Sequence, residues 1–177
     1  FDEVVSVLRN WTAGDLSSMA YCIGVVLDAL IEHPELQDRL RQGVSRREFG
    51  AIADEILRAD SPFVSNRRVT TCPVQLDGVD LPEGQRVRIH WTAANRDPDA
   101  FADADGFDPD ANASGNLVWG AGPHACPGRA LSIVELQALT EELLAVAELS
   151  RAGEGERETH QEQQHGEGGG VAQLGEA

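Results

Sequence analysis

Basic side chains are scarce in this chain: fourteen Lys and Arg stand against thirty Asp and Glu in 177 residues, a formal charge of −16. Such a surface is repelled by phosphate backbones, so no nucleic-acid partner is expected. Long apolar runs are lacking as well. No stretch reaches the ~18 apolar residues of a bilayer-crossing helix, so no membrane span is expected. The opening Phe1-Asp2-Glu3-Val4 has neither a basic n-region nor a small-residue cleavage site, so no secretory leader is expected. With no initiator Met, the expected start lies inside a longer polypeptide. Cysteine is sparse: only Cys22, Cys72 and Cys126 occur. An odd, widely spaced set without a CxxC pair is neither a disulfide framework nor a zinc site. A reducing cytoplasm is the expected compartment. Cys22 and Cys72 read as small buried apolar residues.

What is present is mostly helical texture. Val4, Leu8 and Trp11, then Met19, Ile23, Val26, Leu27 and Leu30, recur at three- and four-residue steps. That spacing predicts one long helix over 2–32. His33-Pro34 ends it, because the residue before proline is pushed out of the helical region. Pro34 then opens a short helix to Gln42, stopped at Gly43. Ser45-Arg46-Arg47-Glu48 has the form of a capping box and starts a helix running to Arg58. From Arg67 to Asn95, short apolar runs between Asp77-Gly78 and Pro82-Glu83-Gly84 predict several brief strands. Asn95 to Asn116 carries Asp, Pro, Gly and Asn without a period and predicts an ordered, irregular loop. Long loops of that kind tend to be functional. A glycine-punctuated turn over Gly120 to Gly128 leads into a last helix from Pro127 to about Ala147. Beyond Ser150 the chain is Gly, Glu, Gln and His with almost no apolar residues, so 148–177 is expected to be a disordered acidic, Gly-rich tail.

Cys126 carries the chemistry. In Trp119-Gly120-Ala121-Gly122-Pro123-His124-Ala125-Cys126-Pro127-Gly128, the glycines permit unusual backbone angles and the close approach of a flat cofactor. Cys126 precedes Pro127, a favourable first helical residue. It is therefore expected at a helix N-terminus, where unsatisfied N–H groups and the dipole favour the thiolate. Two other readings of the loop are a buried structural cysteine and a nucleophilic Cys126 activated by His124.

This stretch resembles the haem-binding loop of the cytochrome P450 family, Phe-Gly-x-Gly-x-His/Arg-x-Cys-x-Gly, with Trp119 in place of Phe and Gly120, Gly122, His124, Cys126 and Gly128 matching. Three further motifs resemble the family in its own order. Ala13-Gly14-Asp15-Leu16-Ser17-Ser18 is similar to the oxygen-activating segment, with Ala13 and Gly14 small and Ser17 at the alcohol position. Leu16 stands where the family has an acid. Glu55-Ile56-Leu57-Arg58 matches Glu-x-x-Arg, a buried pair that in the family engages the segment before the cysteine loop, here the neighbourhood of Asn95 or Arg96. Arg67-Arg68 follows Ser61-Pro62 at the spacing of a propionate-binding arginine, with Arg68 the preferred candidate and His124 a second propionate contact.

The resemblance spans roughly 1–147. It implies the C-terminal portion of the cytochrome P450 fold, mainly α with small β-sheets, and haem b (iron protoporphyrin IX) ligated at the iron by Cys126. Trp119 is expected to pack beside the sulfur and alter its hydrogen bonding. The implied activity is a monooxygenase that activates dioxygen to oxidise a small-molecule organic substrate, served by a ferredoxin- or flavodoxin-type electron donor in the cytoplasm. Because the family's N-terminal part is missing, the piece alone is expected to be inactive. The other readings are a peroxide-using or rearranging haem-thiolate enzyme, suggested by Leu16, and a non-catalytic remnant or a chain with an altered reading frame near Ser150.

Overall fold

The structure is a computed structural model and describes residues 1–113 and 115–151. The expected tail, 148–177, lies from residue 152 onward outside the described residues. The helices are α1 (Asp2–Thr12), α2 (Ser18–Glu32), α3 (Pro34–Arg41), α4 (Arg46–Ala59), α5 (Trp91–Ala94) and α6 (Arg129–Val146). The strands are β1 (Ser65–Val69), β2 (Val74–Leu76), β3 (Val79–Leu81) and β4 (Arg86–His90). β1 pairs with β4, and β2 pairs antiparallel with β3 in the register Val74 to Leu81. The mainly α fold with small sheets is thus as expected.

The chain divides into two compact units. One comprises Phe1–Asn66 and Ile89–Ser150; the other is built around Arg67–Arg88. In the second, Asp77 and Gly78 take positive φ at the β2–β3 turn, and the Thr70 hydroxyl donates to the Pro82 carbonyl and accepts from the Gln85 N–H. Cys72 is exposed here, which corrects its reading as a buried residue.

The first unit holds the core. Cys22, Val26 and Leu30 of α2 pack with Leu36 and Leu40 of α3, Phe49, Ile52, Ile56 and Leu57 of α4, and Ile133, Leu136 and Leu144 of α6. The Ser45 hydroxyl accepts from the Glu48 N–H, one half of the expected capping box, while the Glu48 carboxylate pairs with Arg39; α4 is buried over nearly its whole length. Gln37 ties the segment after α6 to the core. Its buried amide donates to the carbonyls of Leu30 and Leu149 and accepts from the Leu149 N–H.

One expectation is corrected. The first helix is helical from Asp2 to Glu32, but its middle, Ala13–Ser17, is a π-helical turn rather than α. The Thr12 hydroxyl donates back to the Leu8 carbonyl at 2.8 Å just before it. Such back-bonding competes with the helical ladder and bends it. Val4, Leu8 and Trp11 are 59, 61 and 66% exposed, and only the α2 half of the helix buries its apolar face.

Candidate haem-thiolate site

The site is built outward from α4. Glu55 and Arg58 are three apart, so their side chains share one face of the helix. Both are buried, and the guanidinium meets the carboxylate at 2.7 and 2.9 Å. Arg58 also donates to the carbonyls of Asn95, Ala104 and Gly106, each at 2.8 Å, and lies over the Phe101 ring at 4.9 Å. Glu55 accepts from the Asp108 N–H at 2.9 Å and the Asn112 amide at 2.8 Å. One ion pair therefore organises the irregular loop 95–112 through backbone groups. Burial alone would raise the Glu55 pKa, but hydrogen bonds from Arg58, Asp108 and Asn112 and the Arg58 charge outweigh it and hold it below the ordinary value.

Asn95 relays this order to the cysteine loop. Its carbonyl is held by Arg58, while its own side-chain oxygen accepts from the Leu117 N–H at 2.7 Å. Of the two expected partners of the pair, Asn95 is the one engaged. Arg96 instead donates to the Ala59 carbonyl and pairs with Asp105.

The loop then closes on itself. The Cys126 N–H donates to the Trp119 carbonyl at 2.8 Å, and the Ala125 N–H donates to the Gly122 carbonyl at 3.1 Å across a 3₁₀ turn, Gly122–His124. Gly120 and Gly122 have φ of +71° and +67°, left-handed angles that side chains with a Cβ rarely adopt. His124 and Cys126 are exposed.

Helix α6 begins at Arg129 with Gly128 as its N-cap, so Cys126 does not directly precede the first helical residue as expected, but lies two residues before the cap. The Trp119 indole N–H is also not directed to the sulfur: it donates to the Asp54 carboxylate at 2.6 Å, and the ring packs against the core. Asp54 also accepts from Arg129 at 2.6 Å. Neither Asp54 nor Arg129 stands out by motif. The available signal was an acidic residue beside Glu55 on a helix with so strong an apolar pattern.

The remaining candidates fall as follows. Ala13, Gly14 and Ser17 lie in the π-helical turn, with Gly14, Leu16 and Ser17 exposed. Arg68 is on β1, exposed, its guanidinium donating to the Arg67 carbonyl. Cys22 is buried on α2. Burial first, and the charge of Cys126 second, push its thiol up to about 11, so it stays protonated at neutral pH.

An exposed thiol fits a soft-ligand role toward haem iron. Among the described residues, no group of three or more His, Cys, Asp or Glu could hold a bare metal ion, and no helix is long and apolar enough to cross a membrane. A prosthetic group held by one thiolate suits this donor set.

Comparison with known proteins agrees. The family profile described as Cytochrome P450 matches residues 6–171. Cytochrome P450 BJ-3 of Bradyrhizobium diazoefficiens is 33% identical over 76% of this chain and 34% of its own length. Erythromycin C-12 hydroxylase of Saccharopolyspora erythraea is 35% identical over 70% of this chain and 31% of its own. The P450 heme domain of Tepidiphilus thermophilus superposes with a TM-score of 0.65 at 34% identity, over 72% of this chain and 30% of that one. The chain thus spans about a third of the length of the curated relatives it matches. On its motifs, its fold and these likenesses, the chain belongs to the cytochrome P450 family.

Proposed function

We propose that the chain is the haem-binding portion, residues 1–147 with an acidic extension over 148–177, of a cytoplasmic haem-thiolate monooxygenase acting on a small organic substrate. The observation that carries the reading is the exposed Cys126 on a left-handed glycine turn whose approach is braced by the buried Glu55–Arg58 pair. Haem b, when bound, supplies the activation of dioxygen and the oxidation of substrate.

The protein's own residues would do the rest. Cys126 would present its thiolate to the iron. Gly120, Gly122 and Gly128 would let the loop approach the group closely, and Trp119 would anchor the start of the loop. His124 and Arg68 would donate hydrogen bonds to the propionates. Ser17 would hold a proton at its hydroxyl, with the small Ala13 and Gly14 leaving space in the same turn. Electrons would come from a ferredoxin- or flavodoxin-type donor.

The test is reconstitution of the purified chain with haem, reduction and exposure to carbon monoxide. A difference band at the thiolate position, lost in Cys126→Ser, supports the reading. No haem uptake, or the same band in the variant, overturns it. The chain alone is proposed to be inactive, because it spans only about a third of its relatives.

A second reading, a peroxide-using or rearranging enzyme, rests on Leu16: an exposed, apolar residue stands in the turn where the family places an acid. Product formation by the full-length parent with peroxide, set against reductant plus dioxygen, separates the two.

A further inference from the structure

The geometry points to Asp54 as a positioning residue that clamps both ends of the cysteine loop. Consecutive residues on a helix point ~100° apart, so Asp54 and Glu55 reach different partners from one turn of α4. Glu55 faces the loop 95–112. Asp54, 2% exposed, takes the Trp119 indole N–H on one carboxylate oxygen and the Arg129 guanidinium on the other, each at 2.6 Å.

Trp119 opens the loop and Arg129 is the first residue of the helix that follows it. The thiol-bearing residue lies between these two anchors, and its own N–H is bonded to the Trp119 carbonyl. A residue that never touches Cys126 thereby fixes the span from which its sulfur projects. The substitution of Trp119 for the family's Phe has a physical consequence here, since a phenyl ring offers no donor to Asp54. With its single N–H committed to Asp54, the indole has none left for the sulfur.

This deepens the proposed function and rests on it only where the iron is concerned. The first measurement is therefore made without haem: amide hydrogen exchange across 117–128 in the full chain. Asp54→Ala should speed exchange of the Cys126 N–H about tenfold or more, the scale of a lost charge-assisted hydrogen bond. Asp54→Asn, whose amide oxygen can still accept the indole N–H, should recover much of that protection. Trp119→Phe should fall between, and the Asp54→Ala/Trp119→Phe double variant should exchange no faster than Asp54→Ala alone.

Amides of Ile52 to Leu57 report whether the core is intact. Should Asp54→Ala lose that protection, Trp119→Phe decides. Wild-type exchange at Cys126 in Trp119→Phe, with the core protected, overturns the clamp, as does full additivity in the double variant.

The second measurement is spectroscopic. In the haem-loaded, reduced, carbon monoxide-treated chain, Asp54→Ala should move the band away from the thiolate position, and Asp54→Asn should restore it. An unmoved band overturns the claim that the clamp positions the sulfur. A chain that takes up no haem sinks the proposed function and leaves the exchange result to judge the clamp.

Discussion

Glu55 and Arg58 stand three residues apart on α4 with both side chains buried, and their two hydrogen bonds, 2.7 and 2.9 Å, leave each with further partners rather than closing the pair off. Arg58 spends its other donors on three carbonyls of the loop, and Glu55 accepts from Asp108 and Asn112. The pair is a bracket for a segment that has no regular structure of its own.

Removing half of that bracket is expected to be costly. Arg58→Ala leaves the Glu55 charge buried and three carbonyls without their donor, a loss of about 3–5 kcal/mol in urea unfolding. Arg58→Lys should recover little. One ammonium cannot reproduce a planar fork aimed at a carboxylate and three carbonyls. A lysine variant with the parent's unfolding midpoint contradicts this account.

Acid should act through the same residue. The Glu55 pKa is depressed in the folded state from an ordinary value of 4.5, so its stabilisation is present above that unfolded value. The stabilisation is lost as pH falls through the depressed folded value. Stability of the parent chain should therefore decline with acid below about pH 4.5, and Glu55→Gln, weaker at neutral pH, should show a shallower decline. Parallel pH profiles in the two proteins would show that Glu55 does not carry this dependence.

The three cysteines should separate by burial. Cys126→Ser changes an exposed side chain, so unfolding of the haem-free chain should shift by no more than about 0.5 kcal/mol. Cys22→Ser puts a hydroxyl among Val26, Leu30 and their core neighbours, where an unpaired polar group costs about 1–3 kcal/mol. Thermal unfolding of both variants measures the contrast, and equal losses would be incompatible with the burial described.

The glycine turn makes a local prediction. Gly122 has φ +67°, so Gly122→Ala should cost about 1–2 kcal/mol, and Gly122→Asn less, because Asn visits that region more readily. Faster exchange at the Ala125 N–H, bonded to the Gly122 carbonyl, with unchanged exchange in α4, is the expected signature.

Much of this was legible from local pattern. The Ser45 cap, the break at His33-Pro34, the β2–β3 turn at Asp77-Gly78 and the cysteine loop follow from interactions between residues close in sequence. Each appears where the residues placed it. Less legible was the first helix. Val4, Leu8 and Trp11 carry the same spacing as the α2 residues, yet they are exposed, because periodicity predicts which face is apolar and not whether anything packs against it. Likewise Pro127 is a good helix opener by propensity, while the helix starts at Arg129, where Asp54 holds the guanidinium.

The sequence by itself determined the family, the helical order and the glycine-punctuated loop that carries Cys126, since these rest on residue identity and short spacings. Only the tertiary structure decided that Asp54, 65 positions before Trp119 and 75 before Arg129, would hold both ends of the loop, and that Asn95 rather than Arg96 would receive Arg58. The physical reason is that a buried polar group takes whichever partner packing brings within hydrogen-bond reach, and packing joins residues whose separation along the chain carries no signal.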